Sequence, residues 1–138
     1  MGTKAECRAG IVTRLNTISG LRAYPRWPNA ANPPCAIVRS TGAVPHTTFA
    51  QNGMMRFVIT VAVSMADPDR AQTALDLYTD LSGTSSIIAA LEGDETLGGK
   101  AQYLDIGNWS ADGALEVGES KCLAAELPVG VHTTWTWT

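Results

Sequence analysis

Apolar positions along the chain switch between two periods. Ile11, Leu15 and Ile18 fall at i, i+4 and i+7, with Val12 beside them, which is one stripe of a helix. Thr3-Lys4-Ala5-Glu6 precedes the stripe as a T-x-x-E capping box. In such a box the hydroxyl accepts from an early helical N–H and the carboxylate reaches back to the cap. Gly20 follows and suits a left-handed cap. The pattern predicts a helix over residues 4–19, in which Gly10 costs about 1 kcal/mol relative to Ala. Residues 21–28 contain Pro25 and Pro28, so they form at most a short edge strand. Residues 35–40 read as a strand. Residues 41–53 are mostly polar and carry Gly42, Pro45, Asn52 and Gly53 as breakers. They predict a long connection, either a protruding loop or an extended hairpin.

Residues 55–64 are the strongest strand. Phe57, Ile59, Val61 and Val63 alternate with Val58, Thr60 and Ala62. Both faces are largely apolar, as in a central strand covered on both sides; helices would cover one, and the chain's own hairpin or a neighbouring subunit the other. Asp67-Pro68 opens a second helix with a cap and a proline at its first position. Its expected buried stripe is Ala71, Ala74, Leu75, Tyr78 and Leu81, and Ser82-Gly83 stops it. Ser85 or Ser86 caps a short helix over 87–92, ended by Gly93, and Gly98-Gly99 is a turn. A strand over 102–108 follows, with Tyr103, Leu104 and Ile106 expected to be buried. Asp112-Gly113 marks another turn. Strands are predicted at 115–117 and 121–132, and Pro128 places the last one near an edge or at a bulge. The order predicts an α+β fold: a mainly antiparallel or mixed sheet with two helices on one face and a long loop or extended hairpin.

The 138 residues suit a single domain spanning 1–138, with 133–138 a flexible or strand-adding terminus. A 45% hydrophobic content with 17% charged residues is too apolar for a disordered chain. A surface short of charge also points towards self-association. The net charge is −3 and there is no Lys/Arg run, which argues against tight DNA binding. Cys7, Cys35 and Cys122 are widely spaced and form no C-x-x-C pair, so buried, reduced thiols are expected. The N-terminal residues lack the apolar core of a signal peptide, and the apolar run 57–65 is far short of a membrane helix. A soluble protein without a membrane partner is expected.

Candidate chemistry is sparse. His46 and His132 are the only histidines and no H-x-x-x-H spacing exists, so no metal site is expected. The Ser82–Ser86 stretch reads as helix-stop and helix-start chemistry, and no G-x-S-x-G elbow is present. Gly98-Gly99-Lys100 is a turn and not a phosphate cradle. No catalytic residue or cofactor is assigned. Asp76 and Asp80 share one helix face, read as a solvated face or a partner surface. Aromatic residues carry more weight. Tyr24, Trp27, His46, Phe49, Trp109, Trp135 and Trp137 fall in loops, edges or the terminus and are the candidate subunit or partner interface. Thr133-Thr134-Trp135-Thr136-Trp137-Thr138 alternates at period two, as in a strand with one aromatic face that could add to a sheet edge.

Several segments follow one another in a familiar arrangement: Ile18-Ser19-Gly20-Leu21-Arg22-Ala23-Tyr24-Pro25, Pro33-Pro34-Cys35-Ala36-Ile37-Val38, Phe57-Val58-Ile59-Thr60-Val61-Ala62-Val63, Ala66-Asp67-Pro68-Asp69-Arg70-Ala71-Gln72, and the stretch from Ser86 to Gly99. Over about residues 4–131 the chain resembles the tail terminator proteins of long-tailed, non-contractile (siphovirus-type) phages, especially those infecting actinobacteria. The resemblance implies a small α/β structural subunit that assembles into a homo-hexameric ring. Such a ring sits on the finished tail tube, stops its polymerisation and meets the head–tail connector or stopper protein. Genomic DNA would pass through its hole without specific binding. The site implied is the head-proximal end of the virion tail, after assembly in the host cytoplasm. Another head–tail joining or tail-tube component is the nearest alternative. A small-molecule enzyme on a ferredoxin-like scaffold is the alternative of a different class.

Overall fold

A computed structural model describes residues 4–25, 34–44, 52–65, 68–94, 96–99, 101, 103–110, 113–117 and 120–134. The chain is α+β. Its elements are α1 (Lys4–Leu15), β1 (Arg22–Tyr24), β2 (Cys35–Val44), β3 (Asn52–Ser64), α2 (Pro68–Thr79), α3 (Ile87–Glu92), β4 (Tyr103–Ile106), β5 (Gly113–Val117) and β6 (Ser120–Thr134). The strands form one mixed sheet in the order β1-β2-β3-β6-β4, with β5 also on β6. Among the described residues only the β1–β2 pair is parallel.

The doubly apolar 57–63 segment lies in the centre of that sheet, between β2 and β6. Its odd-numbered residues Phe57, Ile59, Val61 and Val63 face the helices, together with Ala36 and Val38 from β2 and Ala125, Leu127, Val129 and Val131 from β6. Cys7, Ile11 and Leu15 of α1 pack on this face, as do Ala71, Leu75 and Tyr78 of α2 and Ile87, Ile88 and Leu91 of α3. The short third helix thus joins the layer of two that the sequence predicts. Cys7 extends the first stripe by a turn, because positions four apart share a helix face.

The ends of the elements show local chemistry overriding the periodic pattern. Helix α1 stops at Leu15, four residues before its predicted end, where Thr17 and Ile18 N–H groups donate to carbonyls three residues back. Gly20 then takes a left-handed φ of 83°. Thr3 and Asp67, the expected caps of α1 and α2, lie outside the described residues. Ser86 is the cap of α3: its Oγ accepts from the Ala89 N–H at 3.1 Å and donates to the Asp80 carbonyl at 2.6 Å. Leu81, expected in the buried stripe of α2, is 75% exposed. The helix ends at Thr79, and the Asp80 carboxylate accepts from the Leu81 N–H, which turns the chain off the helical path before Leu81 reaches the core.

Two further expectations change in the sheet. Tyr103 is 49% exposed and not buried, because Leu104 and Ile106 take the helix-facing positions of β4 and strand alternation sends Tyr103 to the other side. Strand β6 lies inside the sheet despite Pro128. Its β4 partners begin at Val129 and its β5 partners end at Ala124. Pro128 falls in the gap between them, where its carbonyl accepts from Gly107 N–H at 2.8 Å and its missing N–H breaks no strand ladder. The long connection after β2 resolves towards the hairpin reading: β2 runs to Val44 and β3 starts at Asn52, with a register shift between Ser40 and Gly42.

The turn after α3 is held by one carboxylate. Asp94 Oδ1 accepts from the Thr96 hydroxyl at 2.8 Å and Oδ2 from the Gly98 N–H at 3.0 Å. The Thr96 hydroxyl, the Gly98 amide and then the Arg14 charge hold the Asp94 carboxyl below the usual range. Arg14 itself donates from Nε to the Ala90 carbonyl at 2.9 Å and lies over Gly93, where a Cβ would collide with its guanidinium. A lowered folded pKa adds stability above the unfolded value and loses it as pH falls through the folded value. Asp94→Asn therefore melts earlier than the parent at neutral pH. The gap closes as pH drops below about 4, the unfolded carboxyl range. Thermal melts at a series of pH values check this, and a gap independent of pH would remove the charge from the account.

Candidate functional site

The face of the sheet away from the helices is divided in two. Near the start of β2, Cys35, Ile37, Ala62, Cys122 and Ala124 form a second buried cluster, with Tyr24 of β1 packed against it. Thr60 beside them is 1% exposed. All three cysteines are buried thiols outside any disulfide. Burial, with Cys122 nearby, pushes the Cys35 thiol up to about 11, so it stays protonated and unreactive at neutral pH. This half of the face is already dry in the single chain, so the doubly apolar strand offers no open surface to a neighbour there.

The other half is polar and open. At the border, Arg39 Nη2 lies 3.3 Å from Glu126 Oε2 and 3.4 Å from the Thr60 hydroxyl. The two charged side chains are 41% and 53% exposed, so the pair contributes at most about 1 kcal/mol and mainly orders the surface. Beyond it the pairing sets up two rows across β3, β6 and β4: Arg56, Gly130, Asp105, and then Met54, His132, Tyr103. Gly130 lets the first row close up, since a Cβ there would stand 2.6 Å from Met54 Sδ and 3.5 Å from Asp105 Cβ. Arg56, Gly130, Asp105 and Met54, with Thr41, Gly107 and Pro128, line a shallow depression of about 200 Å³, below the ~300 Å³ at which small-molecule pockets begin.

In the outer row the rings of Tyr103 and His132 stack, with centroids 4.2 Å apart and planes 13° from parallel. His132 is half-buried and Tyr103 half-exposed at the margin of the sheet. Strand β4 pairs with β6 on one side. Among the described residues no strand lies on its other side, nor on the outer side of β1.

The expected interface aromatics are distributed differently from this pair. Tyr24 is half-buried on the second cluster. Trp109 is half-buried against the main core, with a buried indole N–H that has no partner among the described residues; it is a packing residue more than an offered one. Trp27, His46, Phe49, Trp135 and Trp137 lie outside the described residues. The Tyr103–His132 pair was missed because its two members are far apart in sequence and only the β4–β6 register joins them. The Tyr-Leu-Asp-Ile alternation was the available signal: Asp105 marks the open face, and Tyr103 shares it. Among the described residues no three His, Cys, Asp or Glu side chains gather to hold a metal ion, and no helix is long and apolar enough to cross a membrane. No protein-family model matches the chain, and no curated protein matches it either.

Proposed function

We propose that the chain is a structural subunit that closes with copies of itself into a ring, and that this ring caps a phage tail tube and joins it to the head connector while DNA passes through the hole. One observation carries the ring: among the described residues the sheet ends in two unlike unpaired edges, parallel β1 on one side and antiparallel β4 on the other. A cyclic assembly of more than two copies needs two different surfaces on each subunit, which meet head to tail. The α+β architecture and extended β2–β3 hairpin suit the tail-terminator resemblance, from which the six-fold count and the neck position come. An acidic balance of −3 suits a wall along which DNA slides without being held.

Negative-stain images of the purified chain, with its mass in solution, test the reading. The expected result is discrete rings with a central hole and six-fold class averages. Long open tubes would replace it with the tail-tube alternative. A monomer at high concentration that melts later in the presence of a small molecule would replace it with an enzyme.

A further inference from the structure

We propose that Leu81 of one copy, just past the end of α2, seats in the Arg56 depression on the sheet of the next, with Leu77 beside it and Asp80 facing Arg56. The partner, a second copy of the chain, comes from the self-assembly reading above, on which this contact rests. It joins the two faces of the subunit and not its edges. The helix side carries an Asp-Leu pair twice, Asp76-Leu77 and Asp80-Leu81, four positions apart. Leu77 is 54% and Leu81 75% exposed, whereas Ala71, Leu75 and Tyr78 fill the buried side of α2. Apolar area left in water favours any contact that removes it. The carboxylates beside the leucines are held in place: Asp76 Oδ1 accepts from Gln72 Nε2 at 2.8 Å, and Asp80 Oδ1 accepts from the Leu81 N–H at 2.7 Å. Among the described residues neither carboxylate is in an ion pair.

The depression offers the complement. Met54 and Pro128 lean over its two glycines, since a Cβ on Gly130 would stand 2.6 Å from Met54 Sδ and one on Gly107 2.7 Å from Pro128 Cγ. Phe57 and Val129 turn their side chains to the helices, so only their backbone reaches this side. The floor is therefore apolar. Its volume of about 200 Å³ takes one branched aliphatic side chain, given that an apolar cavity of ~150 Å³ holds a benzene ring. The rim is charged and uneven. Arg56 is exposed and, among the described residues, in no ion pair, while Asp105 stands on the other side of Gly130. An Asp-Leu pair fits in one orientation, leucine inward and carboxylate towards Arg56, because the reverse sets like charges together at Asp105. Leucine and depression lie on opposite sides of the sheet: α2 packs on the helix face of β3 and β6, and the depression opens on the other. No molecule can fill its own depression with these leucines, so the contact joins two copies head to tail. Such a contact closes into a ring when successive copies are rotated about a common axis, and runs on as an open stack when they are not.

The test uses the full chain, a Leu77→Ser/Leu81→Ser variant that keeps its depression, and Arg56→Glu, which keeps its leucines. All the substituted side chains are exposed, and circular dichroism shows that each variant is folded. Sedimentation over a concentration series measures self-association, and negative-stain images show its form. Each variant is expected to self-associate at least about tenfold more weakly than the parent. Mixed in equal amounts, the two variants pair one to one and grow no further, because each supplies the surface that the other lacks. Adding Asp80→Lys to Arg56→Glu restores opposite charges and should recover most of the loss. Self-association indifferent to both changes, no pairing in the mixture, or no recovery on charge reversal would overturn the proposal; rings that persist in both variants would then leave the ring reading standing without it. A parent that forms pairs or open stacks but no rings, and loses them in both variants, would uphold the contact and overturn the ring. A parent that stays monomeric at every concentration would overturn both.

Discussion

Val61→Asp removes most or all of the stability of the folded state. Val61 is fully buried at the centre of β3, between Ala36 of β2 and Ala125 of β6. The small flanking residues let the helix layer come close, and Val61 belongs to the buried hydrophobic cluster between sheet and helices. An aspartate there is cut off from water. It must either ionise without a partner or take up a proton against its ordinary pKa and leave its oxygens unbonded. Uncompensated buried charges cost about 3–5 kcal/mol, to which the lost valine burial adds about 1.5 kcal/mol or more. A domain of this size has about 5–15 kcal/mol in total, so the variant is expected in the insoluble fraction or with a melting transition displaced to near ambient temperature. Val61→Ala, which only leaves a small void, should stay folded and lose about 2 kcal/mol. Urea denaturation of the two variants separates charge from volume. A soluble Val61→Asp protein with the parent's transition would take Val61 out of the core and with it the register of β3 against β2 and β6.

The contrast between Val61 and Tyr103 shows what was legible before the structure. Along β3 the alternation is long and both faces carry branched residues, so type and centrality follow from the residues themselves, whereas the choice of the odd-numbered face for the helices comes only with the fold. Spacing alone selects the buried side for Ile11 and Leu15 on α1 and for Ile18 just beyond its end. Tyr103 stands in a four-residue strand, and size suggested burial where alternation with Leu104 and Ile106 decides against it. Leu81 fails for a related reason: it continues the period of α2, but the Asp80 carboxylate ends the helix first. Pro128 was read as a property of a whole strand, whereas its effect is confined to the gap between β4 and β5. The candidate surface was the least legible. It is made of rows that cross three strands, and cross-strand neighbours are set by register, which no local window contains.

Gly10→Ala lowers stability although it improves the helix. Intrinsic propensity favours alanine at an interior helix position by about 1 kcal/mol, and from the sequence alone Gly10 is simply a cost. In the fold, a Cβ on Gly10 would stand 2.8 Å from the Leu97 Cβ, where carbon atoms prefer about 3.5–4.0 Å. Leu97 cannot yield easily. It is 4% exposed and holds a left-handed φ of 52°. Its N–H donates to the Asp94 carbonyl, and the Asp94 carboxylate grips Thr96 and Gly98 on either side. The contact atom is next to the backbone, so relief requires α1 and the whole turn to part by a substantial fraction of an ångström. Overpacking of this kind costs about 1–3 kcal/mol, which equals or exceeds the helical gain; Gly10→Val adds a branched side chain at the same point and should cost more than the upper figure. The sign reverses when the obstacle is removed. Leu97→Gly gives up buried apolar area and is destabilising alone, but it tolerates the left-handed φ and carries no Cβ. In that background Gly10→Ala should raise the unfolding free energy measured by urea denaturation by the amount that helix propensity allows, about 1 kcal/mol. The four proteins of this cycle isolate the contact. Stabilisation by Gly10→Ala in the parent background would show that α1 does not rest on the Asp94–Gly99 turn as closely as described, and that the glycine serves no packing purpose.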